Sequence, residues 1–221
     1  MKLTLHVKKA VAALLACGAL SAVSAISDAD AAALLQKADS STAFYNTDFT
    51  AAYEVVQQKP GEGRKVINAT IYRRDKELKW TILINAPLKD KGKGYLKTDS
   101  NIWFYDPADR RFTFSSSKDK FQGTNANTSD FAPQNYVRNY TIESTDEVKL
   151  GSFDCVLFTL TAKTKNVDYP KIKLWVTKND GLTRKKEDYS LSGQNLRTTA
   201  IPSYQKVDDA GKAYQIPVDR K

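Results

Sequence analysis

Apolar and polar residues alternate with a period of two along most of this chain, and that period predicts strands. Phe49, Ala51, Tyr53 and Val55 alternate with polar or small neighbours across 49–57. In 77–85, Leu78, Trp80, Ile82 and Ile84 fall on one face, and Lys79, Thr81 and Asn85 on the other. That is the mark of a strand with one buried face. Further strands are expected at 65–73, 95–98, 102–105, 111–115, 140–150, 153–164, 171–178, 182–190 and 196–201. Turn chemistry separates them: Lys59-Pro60-Gly61-Glu62-Gly63, Asp106-Pro107-Ala108-Asp109, Gly151, Asn179-Asp180-Gly181 and Ser192-Gly193-Gln194-Asn195. Pro87 to Gly94 reads as a lysine-rich loop. Residues 116–136 break the pattern; they are polar, expected to be mobile, and end in a helical turn near Asp130–Tyr136.

One early segment has a helical period instead. Ala31, Leu34, Leu35 and Ala38 form a narrow apolar stripe, and Ser27 with Asp30 has the form of a capping box. About eleven antiparallel strands and one helix predict an α+β domain. A sheet that size with one apolar face must curl over that face. The expected architecture is an unclosed antiparallel β-barrel with the N-terminal helix as its lid.

Residues 1–25 read differently. Lys2, Lys8 and Lys9 precede an apolar run, Ala10 to Val23, and Val23-Ser24-Ala25 offers a small-residue cleavage site. The run is shorter than the roughly 20 residues that span a bilayer. An exported, periplasmic domain over 26–221 follows from this reading. Leu14-Leu15-Ala16-Cys17 also has the form of a lipobox, which makes Cys17 a candidate for lipidation. Cleavage after Ala25 and anchoring through Cys17 both stand at this point. The other cysteine, Cys155, lies in an apolar strand and reads as a small buried hydrophobe.

Net charge is +9; removing 1–25 takes away three lysines and no acid and leaves +6. A spread of that size fits a solvated surface, and no nucleic-acid motif accompanies it. The single histidine, His6, lies in the export segment. Histidine-dependent triads are therefore excluded from the exported chain. No phosphate-binding glycine loop or dinucleotide fingerprint is present, and no cofactor or metal is implied. The carboxylates read as turn or solvent-facing positions, Glu54, Glu143 and Asp188 among them, and their spacing selects no catalytic pair. The chain does not read as an enzyme.

The aromatic load is the unusual feature. Tyr72, Trp80, Tyr95, Trp103, Phe104, Tyr105, Phe112, Phe114, Phe131 and Trp175 crowd the central strands. If a concave sheet carries more apolar surface than its helix covers, the surplus lines a cavity for an acyl chain, at about 0.8 kcal/mol per buried methylene. The expected cavity wall is Tyr53, Tyr72, Trp80, Ile82, Ile84 and Tyr95, continued by Trp103, Tyr105, Phe112, Phe114, Phe131 and Trp175. Leu34 and Leu35 belong to the lid. The helix and the 116–136 loop would gate the cavity.

Gly94-Tyr95-Leu96-Lys97, Asn101-Ile102-Trp103-Phe104-Tyr105-Asp106-Pro107 and Arg110-Arg111 carry a family likeness. So do Ser129-Asp130-Phe131, Leu150-Gly151 with Asp154-Cys155, and the run Tyr169 to Val176. Over about residues 30–205 the chain resembles the LolA-like periplasmic lipoprotein carriers. Within them it is most similar to the outer membrane lipoprotein-sorting protein branch of the treponemal uncharacterized-protein type. The resemblance implies a LolA/LolB-like half-barrel with a hydrophobic cavity and acylated lipoprotein or lipid as cargo. It implies an inner-membrane ABC-type transporter as donor and an outer-membrane acceptor, with a monomeric carrier between them. It also implies an arginine at the barrel mouth, for which Arg73 and Arg74 are the candidates by position. A lipid-anchored binding or sensor module of the same fold is the alternative. Such proteins continue with a further strand pair, whereas here Gln215–Val218 reads as a strand without a partner. Either the tail is disordered or the sequence is truncated.

Overall fold

The computed structural model describes residues 26–98, 101–209 and 211–221. Residues 1–25, where an export signal and Cys17 lipidation were expected, lie outside the described residues. Helix α1 (Asp28–Ser41) opens the fold. Its cap is as expected: the Asp30 N–H donates to Ser27 Oγ at 3.1 Å, and Ser27 Oγ–H donates to Asp30 Oδ2 at 2.7 Å.

Strands β1 (Phe49–Gln57), β2 (Lys65–Arg74), β3 (Lys79–Ala86), β4 (Gly94–Thr98), β5 (Asn101–Asp106) and β6 (Arg111–Ser115) follow. They form one antiparallel sheet in chain order. Gly94 is required where β4 meets β3, because a Cβ there would sit 2.6 Å from the Ile82 carbonyl oxygen. A connecting segment leads through a short helix, α2 (Tyr136–Asn139), to β7 (Tyr140–Leu150), β8 (Phe153–Ala162), β9 (Lys171–Thr177), β10 (Thr183–Tyr189) and β11 (Asn195–Ala200). These make a second sheet, ordered β11-β10-β9-β8-β7. The chain closes on the hairpin β12 (Ser203–Asp209) and β13 (Lys212–Asp219).

The described residues thus form an α+β, mostly antiparallel and unclosed arrangement, as the alternation predicts. The strand boundaries fall within a few residues of those expected. Two features differ. The expected single sheet of about eleven strands is divided into sheets of six and five, with thirteen strands among the described residues. Residues 116–139 run between them, so β6 and β7 do not pair. In addition, Gln215–Val218 does have a partner: Gln215 faces Lys206 and Ile216 faces Gln205. Strand β12 is mostly polar and shows little alternation, so only the pairing reveals it. The hairpin is held by Tyr214, fully buried and stacked on Phe44, which stacks in turn on Phe49.

Each large sheet has its own core. On the five-stranded sheet, Val156, Phe158, Leu160, Ile172, Leu174 and Val176 are buried beneath Ala31, Leu35 and Ala38 of α1. On the six-stranded sheet, Ile67, Ala69, Ile71, Trp80, Ile82 and Ile84 are buried with Tyr95 and Ile102 beneath Phe121 and Phe131. Cys155 is fully buried, as expected of a small hydrophobe.

Candidate functional site

The apolar wall anticipated from sequence is split by the pleat into two faces. Trp80, Ile82, Ile84 and Tyr95 point to the interior and are nearly or fully buried. Tyr53 is half-buried against the edge of the Phe131 ring, with centroids 5.7 Å apart. Phe131 itself is buried. The other six do not join them. Trp103 lies opposite Leu96 and Phe114, and Tyr105 opposite Phe112, in the register that excludes Tyr95 and Phe104. They belong to the outer face, where Phe112 is 57% and Phe114 68% exposed. Tyr72 alternates with buried Ile71 and Arg73, and is exposed too. Trp175 alternates with Leu174 and Val176, and the Lys185 ammonium lies over its ring. A strand rich in aromatics on both faces cannot direct all of them inward. Leu78 leaves the Trp80 face for a related reason. Its φ of 54° closes a 3₁₀ turn before β3 begins, and it is exposed.

The lid also sits elsewhere than expected. Leu35 is buried and Leu34 half-buried, but both pack on the five-stranded sheet. The face bearing Trp80, Ile82 and Ile84 is covered by the 116–132 segment instead. That segment was expected to be a mobile polar loop. It is fixed over the sheet by Phe121, which is fully buried, and by Phe131. These two rings meet at 4.9 Å and pack on the apolar face where the sequence predicted an open cavity.

Polar ties hold this cover. Arg197 on β11 donates to both Asp130 carboxylate oxygens, at 2.6 and 2.9 Å, and through Nε to Asp188 at 2.9 Å. Asp188 was expected to face solvent; it is fully buried, and Lys186 stands 3.0 Å from its other oxygen. Burial alone would raise the Asp130 carboxyl, but the Arg197 hydrogen bonds outweigh it and hold the group below its ordinary value. Ser117 and Ser129 both donate to Asp168, Asn127 donates to the Tyr169 hydroxyl, and Arg220 donates to the Asp130 carbonyl. Most of these partners belong to the five-stranded sheet, its β8–β9 connection or the C-terminus. The cover over one sheet is therefore latched largely to the other. No sequence spacing announced this; residues 130 and 197 come together only through the fold.

Asp39 ties α1 to the same region. Its carboxylate accepts from the N–H groups of Tyr136 and Val137, both at 2.9 Å. Burial pushes its pKa up to about 6, partly opposed by those two hydrogen bonds.

Two cavities lie along this segment. One, of about 180 Å³, is walled largely by polar groups, among them Ser129, Asp130, Tyr169, Lys186 and Arg197. The other, of about 390 Å³, lies between Trp80 and Lys97 of the six-stranded sheet on one side and Ala132, Pro133, Arg138 and Asn139 on the other. Neither Arg73 nor Arg74 is in these walls. Arg73 is buried, bonded to Asp75 at 2.9 Å, and lies over the Phe44 and Phe49 rings. Arg74 forms an exposed pair with Asp48.

Residues 76–219 match the model of a family described only as "Uncharacterized protein". No curated protein sequence matches the chain. Among solved structures, a putative outer membrane lipoprotein-sorting protein domain from Vibrio parahaemolyticus is similar, with a TM-score of 0.72 and 18% identity over 86% of this chain and 83% of that one. A LolA superfamily protein from Nitrosomonas europaea gives a TM-score of 0.69 and 20% identity over 85% and 82%. A DUF1329 family protein from Desulfovibrio piger gives 0.65 and 19% over 83% and 81%.

Proposed function

The chain belongs to the family whose model spans residues 76–219 and has the LolA-superfamily fold; from that premise we propose that it is a periplasmic carrier for acylated lipoproteins or lipids. It acts by reversible burial of an acyl chain and makes or breaks no bond. The observation that carries this reading is the cover on the six-stranded sheet. Phe121 and Phe131 occupy an apolar sheet face, yet the segment presenting them is tied down by side-chain hydrogen bonds and an ion pair. Apolar rings held by polar ties can be exchanged for another apolar guest of similar area at small net cost, because transfer free energy follows area and not identity.

In this reading the arrangement with Phe121 and Phe131 on the sheet is the closed one. Cargo would displace Phe121 and Phe131 and lie against Ile71, Trp80, Ile82, Ile84 and Tyr95. Release of Arg197 from Asp130 would free the segment to swing. A donor in the inner membrane and an acceptor at the outer membrane complete the route. Native mass spectrometry of protein purified from its own cell envelope tests the proposal. An added mass matching an acyl-bearing molecule is the expected result; protein that is consistently empty would overturn it.

A further inference from the structure

The outer face of the six-stranded sheet carries aromatic side chains that lie outside both large cores. Cross-strand partners share a face, so the register sets these residues out in two rows. One runs Tyr72, Thr81, Leu96, Trp103 and Phe114 across β2 to β6. The next runs Leu83, Gly94, Tyr105 and Phe112 across β3 to β6. Within them the Trp103 and Phe114 rings meet edge to face at 6.1 Å, and Tyr105 lies 4.9 Å from Phe112. Phe112 and Phe114 stand on β6, the edge strand of the sheet, and both are exposed. Apolar residues exposed singly need no explanation, but a contiguous set marks an interaction surface.

The charges around this face say what kind of partner fits it. No outward position on β3–β6 is acidic. At the end of the sheet beside the second row, the 87–93 loop touches the 106–111 turn: a Cβ on Gly92 would stand 3.5 Å from the Pro107 ring. These two connections hold five cations and three acids. Lys93 takes up two of the acids, at 3.0 Å from Asp90 and 3.5 Å from Asp106. Lys89, Lys91, Arg110 and Arg111 are exposed and make no ion pair among the described residues, and only Asp109 stands against them. Leu88, 86% exposed, projects from the same loop. Tryptophan, tyrosine and phenylalanine beside unpaired lysine and arginine make the composition that settles at a bilayer interface, with rings at the level of the headgroups and cations at the phosphates.

We propose that the outer face of β3–β6 docks on an anionic lipid bilayer, with Trp103, Phe112 and Phe114 in the interface and the cations of the two connections at the headgroups. Docking of this face requires no guest beneath Phe121 and Phe131, so it stands or falls apart from the carrier reading.

Co-sedimentation with vesicles of phosphatidylcholine, alone or mixed with phosphatidylglycerol, tests this, together with quenching of tryptophan fluorescence by lipids with brominated chains. Binding is expected to be about tenfold tighter on the anionic vesicles and to weaken with added salt. Quenching is expected to come chiefly from Trp103 and to be lost in Trp103→Phe, because Trp80 is buried on the opposite face. Phe112→Ser combined with Phe114→Ser should weaken binding to both kinds of vesicle by about tenfold. Lys89→Gln combined with Arg110→Gln should cut the anionic preference to about twofold or less. All four side chains are exposed, so these variants do not threaten the fold. Bound protein whose quenching is absent, or undiminished in Trp103→Phe, overturns the docking face; this readout holds even if an anchored N-terminus keeps every variant on the vesicle. Protein that ignores both vesicles also overturns it, and a dimer dispersed by the two phenylalanine substitutions would then assign the face to a second copy of the chain.

Discussion

Two covers of different construction lie over two sheets of similar size, and the contrast shows how differently each is held. Helix α1 lies on the five-stranded sheet through Ala31, Leu35 and Ala38, seated on the β8 and β9 aliphatics. Its hold is contact area, which is indifferent to salt, with Asp39 as its chief polar tie to α2. The 116–132 segment has no regular hydrogen-bonded repeat longer than a 3₁₀ turn. Two phenyl rings and a set of charge-assisted bonds hold it. A helix satisfies its own backbone and can be a permanent roof. A loop whose ties are side chains on another element can be let go by breaking a few of them. One sheet is therefore covered by packing, and the other by packing joined to polar side-chain ties.

Truncations of the two covers should break or sharpen this contrast most strongly. Phe121→Ala removes a fully buried ring and should cost about 3–5 kcal/mol in urea denaturation. If the ring stands in for a guest, a saturating acyl ligand should recover part of that loss. Leu35→Ala should cost about 2–5 kcal/mol, with no ligand-specific recovery, because α1 roofs the other sheet. Equal recovery in both variants would erase the distinction between the covers.

Acid should act on the helix side with a definite sign. The Asp39 pKa is raised from 3.8 to about 6 in the fold. Its stabilising contribution is then complete below about pH 4 and is lost as pH rises through 6, for a total of about 2–3 kcal/mol. Denaturation series at pH 4 to 7 should show that decline in the parent protein and not in Asp39→Asn. Carboxyls held below their ordinary values, such as Asp130, act with the opposite sign at lower pH.

Smaller effects should follow from the latch and smallest ones from the outer face. Asp130→Asn weakens the bidentate pair with Arg197 and should cost about 1–2 kcal/mol. Its clearer signature is faster amide exchange across 121–132 with α1 unaffected. Phe112→Ser on the exposed outer face should change stability by no more than about 0.5 kcal/mol and leave acyl binding intact. A large loss of binding there would restore Phe112 to the cavity wall that the register denies it.

The capping residues Ser27 and Asp30, the strand boundaries, the turns and the antiparallel class were all legible in local pattern, because each depends on neighbours a few residues apart. The buried face of β3 was legible too: Trp80, Ile82 and Ile84 alternate with polar residues, so their inward side is fixed by period two. Where both alternate sets are aromatic, as in Trp103, Phe104 and Tyr105, periodicity cannot choose the inner one. The choice was made by pairing with Tyr95 and Leu96 on the adjacent strand. Likewise β12 lacks alternation, and its existence follows from its hydrogen bonds to β13.

By itself, then, the sequence determined a chain of alternating strands, one capped helix and an apolar surface in need of cover. Those properties are local and additive along the chain. Only the tertiary structure decided what covers which sheet, that Asp188 is buried and not solvated, and that Arg197 reaches Asp130 across 67 residues. The reason is physical: a charge can stay in the interior only opposite its partner, and partners distant in sequence meet only after the sheets have formed.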